Sequence, residues 1–344
     1  MAVSKKVFGK TSSGDIVTLY TITAADGSSA SVMDYGAAIV SLHFPDKNGK
    51  LQECCLGYQD FSSYEKSGDC LGAVVGPVCN RIGGASFSLN GIHYQLETND
   101  GENHLHSASA GFHRKIFTLE QITENSITLS CSSPDGEGGY PGNLSVSVTY
   151  SLSDSHNLLL TMQAQTGQDT PVSMTNHCYF RLSDEPDILE HTLQVDASRI
   201  TQAGPGNIPT GHLLPVDGTV FDFRHFKKLG EDIKKEEPSL LLFGGYDHNF
   251  CIDGSGFRHF CSLESALSGI SMSIFSDFPG MQVYTGNFLT PLPDCSGRLI
   301  CPRGGIALEA QFWPDAVNQA GFPSVILHAG DTWQHRIEYR FRTI

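Results

Sequence analysis

Alternation of period two constrains this chain more than any other feature. Leu144, Val146, Val148, Tyr150 and Leu152 are separated by serines and a threonine, and Leu158, Leu160, Met162 and Ala164 repeat the pattern after the polar stretch from Ser153 to Asn157. Successive side chains of a strand point to opposite sides, so the pattern predicts an antiparallel hairpin with one apolar face. Phe87 and Leu89 before Asn90-Gly91, with Ile92, Tyr94 and Leu96 after it, predict a second hairpin closed by a tight turn whose central residues tolerate positive φ. The same period recurs at Ile127, Leu129 and Cys131, at Ile270, Met272 and Ile274, and at Ile337, Tyr339 and Phe341. Strands are therefore expected from end to end.

Helical periodicity is scarce. Only Phe226 to Glu237 has room for a few turns, and its charges suit a solvated surface segment. The Gly/Pro-rich passage from Ala203 to Gly218 is bordered by strands and is expected to be an ordered loop rather than a tether. No internal repeat is visible, which disfavours propellers and solenoids. The expected architecture is all-β: one domain over residues 1–344, a large antiparallel β-sandwich with few short helices.

Composition excludes several functions. With 37 acidic against 22 basic residues the formal charge is −15, which repels phosphate backbones, so no nucleic-acid partner is expected. The stretch from Met1 to Lys10 lacks the apolar run of a secretory signal, and no later window is apolar enough to span a bilayer, so the expected location is the cytoplasm, away from membranes. The 10 cysteines are scattered from Cys54 to Cys301 without a CxxC pair and are expected to be reduced, mostly buried thiols. Adjacent Cys54 and Cys55 would point to opposite faces of a strand, a poor start for a metal site.

Several polar clusters interrupt the apolar periodicity: Asn80-Arg81, His104-Leu105-His106, Thr175 to Phe180 around His177, Tyr246 to Asn249 around Asp247, Gln282, and Glu309 between Leu308 and Ala310. Each has a bland reading. An isolated Arg81 suits a surface ion pair, His177 a satisfied core histidine, and Glu309 the solvent side of an alternating strand. His104 and His106 on one strand face would suit a shared metal ion, as in cupin-like barrels. A carboxylate facing a covered, concave side instead must be paired or hydrogen-bonded, and acid/base work concentrates at such places. The alternation alone does not choose between these faces.

Taken in series, the motifs resemble the galactose mutarotases, or aldose 1-epimerases, over nearly the whole chain. The series runs from Asp34-Tyr35-Gly36 and Leu56-Gly57-Tyr58 through Asn80-Arg81-Ile82, Asn103 to His106, Tyr140-Pro141-Gly142 and Thr175 to Phe180. It continues with Ile208-Pro209-Thr210-Gly211, Phe221 to Arg224, Gly245 to His248, Gln282 to Thr285 and Glu309 with Gln311, Pro314 and Asp315. The resemblance implies a galactose mutarotase-like supersandwich that binds a monosaccharide on its concave face and interconverts the α and β anomers of a hexose such as galactose or glucose. It implies Glu309 as general base and His177 as general acid, meeting across a hollow about a sugar ring wide. Asn80, Arg81, His106, Asp247 and Gln282 are implied to bind the sugar, with no cofactor and no metal. Pro77, where many relatives carry Arg, and Ser107-Ala108, in place of Gly-Gly, depart from the pattern beside binding residues. A hexose-6-phosphate 1-epimerase and a non-catalytic carbohydrate-binding sandwich are the alternative functions, and monomer and homodimer are both compatible with the chain.

Overall fold

The computed structural model describes residues 1–344. Strand Leu144–Leu152 pairs antiparallel with Asn157–Thr166 in the register the alternation demands, Val146 facing Ala164 and Val148 facing Met162. These strands belong to a nine-stranded sheet. Its inward side chains, including Val148, Tyr150, Leu160, Ile274 and Ile337, are fully buried, while alternate residues such as Gln163 and Gln165 stand in solvent. Burying each such aliphatic or aromatic side chain contributes about 1.5–3 kcal/mol, which fixes the register, since a one-residue slip would reverse both faces. The last strand, Thr332–Thr343, lies between Asn157–Thr166 and Ile270–Ser276 and so joins distant parts of the chain.

Facing this sheet across the core is a six-stranded one, ordered Tyr179–Phe180, Ile306–Gln311, Gly280–Tyr284, Asp247–Ile252, Ala197–Ala203 and Pro209–Pro215. Phe180, Phe250, Met281, Val283 and Leu308 project from it into a core cluster of 61 buried residues shared with the nine-stranded sheet. A five-stranded N-terminal meander, Ala2–Lys10 to Leu51–Glu53, completes the main layers. The all-β expectation holds, and the chain has only short helices: Phe61–Lys66, Leu229–Asp232 and Pro238–Phe243.

The second expected hairpin is present as Ser86–Leu89 and Ile92–Gln95, with Asn90 and Gly91 at φ 52° and 77°. Other expectations need correction. Within the passage read as a loop, Pro209–Pro215 is an edge strand on Ala197–Ala203; its prolines and glycine mask the pattern but are tolerated where one side of the ladder is unpaired. The segment from Phe226 to Glu237 gives one helical turn at Leu229–Asp232, and the neighbouring helix starts beyond it at Pro238, a residue suited to a first turn. Strand Leu51–Glu53 ends before Cys54 and Cys55, and both thiols are buried. All ten cysteines are unpaired and six are buried.

Candidate active site

The six-stranded sheet turns a second face away from the core, and its polar residues line up there. In antiparallel pairing, directly opposed residues share a face. Asn249 lies opposite Gln282, and Gln282 opposite Glu309, which makes one polar row across three strands. The next row contains Asp247, Tyr284, Ala307 and Tyr179. Glu309 is 2% exposed and Gln282 3% exposed, so the alternation leads into a covered cleft here and not to solvent.

The cleft has a volume of about 290 Å³, and Asn80, Arg81, His106, His177, Asp247, Gln282 and Glu309 all line it. That size is at the lower end of small-molecule sites, suited to one sugar ring. His177 Nε2 lies 3.6 Å from Glu309 Oε1. The pair is thus closer than the sugar-wide gap implied by the resemblance, because His177 sits just before strand Tyr179–Phe180, which pairs directly with the strand of Glu309. The His177 backbone is pinned: its N–H donates to the Ala73 carbonyl at 2.8 Å and its carbonyl accepts from Gly72 at 3.0 Å. His177 Nδ1 and Glu309 Oε2 have no hydrogen-bond partner in the protein. Burial pulls the His177 imidazole down to about 4. It pushes the Glu309 carboxyl well above its ordinary range, with the Asp247 charge adding to the rise and Arg81 opposing it.

The residues expected to bind a sugar are held by a small ribbon and by their neighbours. Strands Arg81–Ile82 and His104–Leu105 pair antiparallel. Asn80 and His106, at φ 58° and 54°, clasp one another at the end of the ribbon. The Asn80 N–H donates to His106 Nδ1 at 3.2 Å, and the His106 N–H donates to the Asn80 carbonyl at 3.1 Å. Since Nδ1 accepts, a neutral His106 carries its proton on Nε2 as a donor. Burial, with His177 adding to it, keeps His106 neutral by pushing its pKa well down. Arg81 Nε donates to Asp100 at 2.7 Å, and its guanidinium lies 3.9 Å from Asp247. Asp247 also accepts from Gln282 at 2.6 Å and Asn207 at 3.0 Å. Burial raises its pKa, and Arg81, Gln282 and Asn207 oppose that rise. The cleft thus presents both donors and acceptors, which sugar hydroxyls can meet in either role.

His104 does not share this site. Its strand ends at Leu105, so His104 and His106 do not occupy one strand face. The His104 ring bonds the Glu97 carbonyl at 2.5 Å and the Tyr140 hydroxyl at 2.9 Å, which occupies both nitrogens and removes the shared-metal geometry. Neither Pro77 nor Ser107 lines the cleft. Ser107 adopts φ 59°, and its hydroxyl bonds both the N–H and the carbonyl of Val78 at 3.0 Å, holding the segment that leads to Asn80.

Sequence reasoning gave no site role to Asp69, Tyr179, Tyr284 and Phe288, which also line the cleft. Tyr284 was within reach, two positions from Gln282 on one strand and hence on the same face, and Tyr179 follows His177 by two residues. Asp69 lies in an irregular segment with no periodicity to expose it.

Comparison with known proteins agrees with this geometry. The family model for aldose 1-epimerase matches residues 18–340. Human galactose mutarotase is 36% identical over 99% of this chain and 98% of its own length, and the Escherichia coli aldose 1-epimerase is 31% identical over 95% and 96%. Among solved structures, the GalM/aldose epimerase homologue of C. elegans superposes with a TM-score of 0.88 at 28% identity, covering 94% of this chain and 98% of that one. The galactose 1-epimerase of Lactobacillus acidophilus gives 0.87 at 22% identity, covering 100% and 99%, and supports the fold. Cleft, fold and sequence agree over nearly the full length, and the chain belongs to the aldose 1-epimerase family.

Proposed function

We propose that this isomerase interconverts the α and β anomers of an uncharged hexose, such as galactose or glucose, with Glu309 as general base and His177 as general acid. The observation that carries the reading is the 3.6 Å approach of the two side chains inside a cleft of sugar size. Ring opening takes a proton from the C1 hydroxyl and delivers one to the ring oxygen. Both oxygens are bonded to C1, so base and acid must be neighbours.

In the reaction Glu309 takes the O1 proton, the C1–O5 bond breaks as C1=O1 forms, and His177 gives its proton to O5. Rotation about C1–C2 presents the other carbonyl face. His177 then recovers the O5 proton as O5 attacks C1, and Glu309 returns its proton to O1. Each group of this kind contributes about 10²–10⁴-fold in rate. Burial favours the uncharged pair in the free cleft, with the proton on the carboxyl. The reactive carboxylate–imidazolium pair contains the same single proton, so it forms by transfer within the pair and needs no net uptake. Sugar hydroxyls that donate to Glu309 stabilise the ionised form.

Asn80, Arg81, His106, Asp247 and Gln282 hold the remaining hydroxyls so that only the C1 end swings, a positioning role. The same reading takes residues 1–344 as one domain, supported by a core whose members run from Tyr20 to Phe341. It also places the chain in the cytoplasm, which its unpaired cysteines support. No helix is long and apolar enough to cross a membrane. Polarimetry on freshly dissolved α-galactose, α-glucose, xylose and a hexose 6-phosphate tests the function. Acceleration of the neutral sugars is expected, and binding without acceleration would leave a carbohydrate-binding sandwich in its place.

A further inference from the structure

One carboxylate of the cleft takes no part in the mechanism above. Asp69 lies between helix Phe61–Lys66 and strand Val74–Val75 and lines the cleft with His177 and Glu309. Its Oδ2 accepts from the Tyr58 hydroxyl at 2.6 Å and from the Thr290 N–H at 2.9 Å, while its own N–H donates to Ser67 Oγ at 3.0 Å. Those bonds fix the carboxylate and leave Oδ1 without a protein donor. The ion pairs of the cleft are Arg81 with Asp100 and Asp247, and His177 with Glu309; Asp69 belongs to none of them. Arg81 is the only lysine or arginine in the lining, and Asp100 already holds it at 2.7 Å.

A fixed, unneutralised carboxylate in a sugar-sized cleft has two consequences. It is a strong hydrogen-bond acceptor for a hydroxyl. It is also a like charge for any anionic substituent that enters the cleft. We propose that Asp69 is a substrate-contacting carboxylate that confines the cleft to uncharged sugars. Its Oδ1 accepts from a hydroxyl of the aldose, and its charge repels a carboxylate or phosphate on the ring. The proposal rests on the mutarotase reading of the cleft and names the substrate class of that site. Against the dominant effect of burial, the Asp69 charge also favours protonated His177. Removing it therefore slows all sugars in common, and the ratio between sugars isolates the specificity.

The test compares the full chain with Asp69→Asn, which keeps an oxygen for Tyr58 and Thr290 but loses the charge. Mutarotation is measured on galactose and on galacturonate, whose C6 carboxylate is similar in size to the hydroxymethyl group it replaces, at low and high salt. The natural chain should favour galactose about tenfold or more at low salt, and the preference should narrow as salt screens the charge. Asp69→Asn should narrow it at every salt concentration. An unchanged ratio in an active Asp69→Asn chain overturns the proposal. If that variant does not fold, the salt dependence of the natural chain decides, since equal acceleration of both sugars at low salt overturns the proposal as well. Tyr58→Phe removes one anchor without altering charge, so it should raise KM for galactose and keep the salt-dependent preference; a lost preference there also counts against the proposal. A natural chain inactive on every sugar would remove the mutarotase reading and this proposal with it, whereas an unchanged ratio on an active enzyme removes this proposal alone.

Discussion

The hairpin Leu144–Leu152 with Asn157–Thr166 and the trio Asp247–Ile252, Gly280–Tyr284 and Ile306–Gln311 follow one rule and reach different ends. Both send alternate apolar residues into the shared core. On the hairpin the other face meets water, and Gln163 and Gln165 are exposed. On the trio the other face is covered, and Asn249, Gln282 and Glu309 are buried at 3%, 3% and 2% exposure. A glutamine in water loses nothing by being there. A buried one without partners costs about 1–3 kcal/mol, so polar residues persist under cover where a ligand completes their bonding. In this molecule the cleft lies where alternation continues but solvent does not.

The largest test of that contrast is Glu309→Gln. The amide keeps the shape and loses the basicity, so kcat for α-galactose should fall by about 10²–10⁴-fold in a polarimetric assay. The raised carboxyl pKa adds a second readout. A folded-state pKa above the unfolded value contributes stability that is present at low pH and lost as pH rises through the folded value. Glu309→Gln should therefore raise Tm at alkaline pH even as it lowers kcat. His177→Asn should lower kcat comparably and leave sugar binding by calorimetry largely intact; loss of binding alone would make His177 a contact residue.

Next in size is acid sensitivity. His177 on the cleft face and His191 elsewhere are held down to about 4 by burial, and His248, on the opposite side of the same sheet, to about 3. Their folded pKa values are depressed, so the unfolded chain binds protons first as pH falls. Stability is full above about pH 6.5 and is lost toward pH 4, on the order of 3 kcal/mol for each such histidine. Urea midpoints at pH 7, 5.5 and 4.5 should fall in that order, and His177→Asn should flatten the slope. A midpoint insensitive to pH would mean that these rings are solvated.

Gln→Ala on either face gives the smallest effect. Gln282→Ala removes the 2.6 Å donor to half-buried Asp247. It should cost about 1–3 kcal/mol in stability and raise KM more than it lowers kcat. Exposed Gln163→Ala should stay within about 0.5 kcal/mol and leave kinetics unchanged. Equal effects at the two positions would erase the distinction between the faces.

Legibility followed local physics. Both hairpins could be read because alternation and an Asn-Gly turn act over a few residues, and the register of Val148 with Met162 followed from burying one face. The strand Pro209–Pro215 could not, because prolines and glycine hide the period, and an edge position that tolerates them is a property of the whole sheet. His104 and His106 were two apart and looked equivalent, but the left-handed backbone at His106 turned one ring into the cleft while the other bonded Glu97 and Tyr140. Asp69 gave no signal, since its role depends on anchors at Tyr58 and Thr290 that lie in other parts of the chain.

The sequence by itself determined that this chain would be all-β, which residues would face a core, and, through motif resemblance, which polar residues to watch. Only the tertiary structure decided that the outer face of Gln282 and Glu309 is a covered cleft, that His177 comes within 3.6 Å of Glu309, and that Arg81 is engaged by Asp100. The reason is physical. The direction of a side chain repeats every two residues and is written locally, whereas what covers a face, and hence the protonation of every group on it, depends on segments more than a hundred residues away.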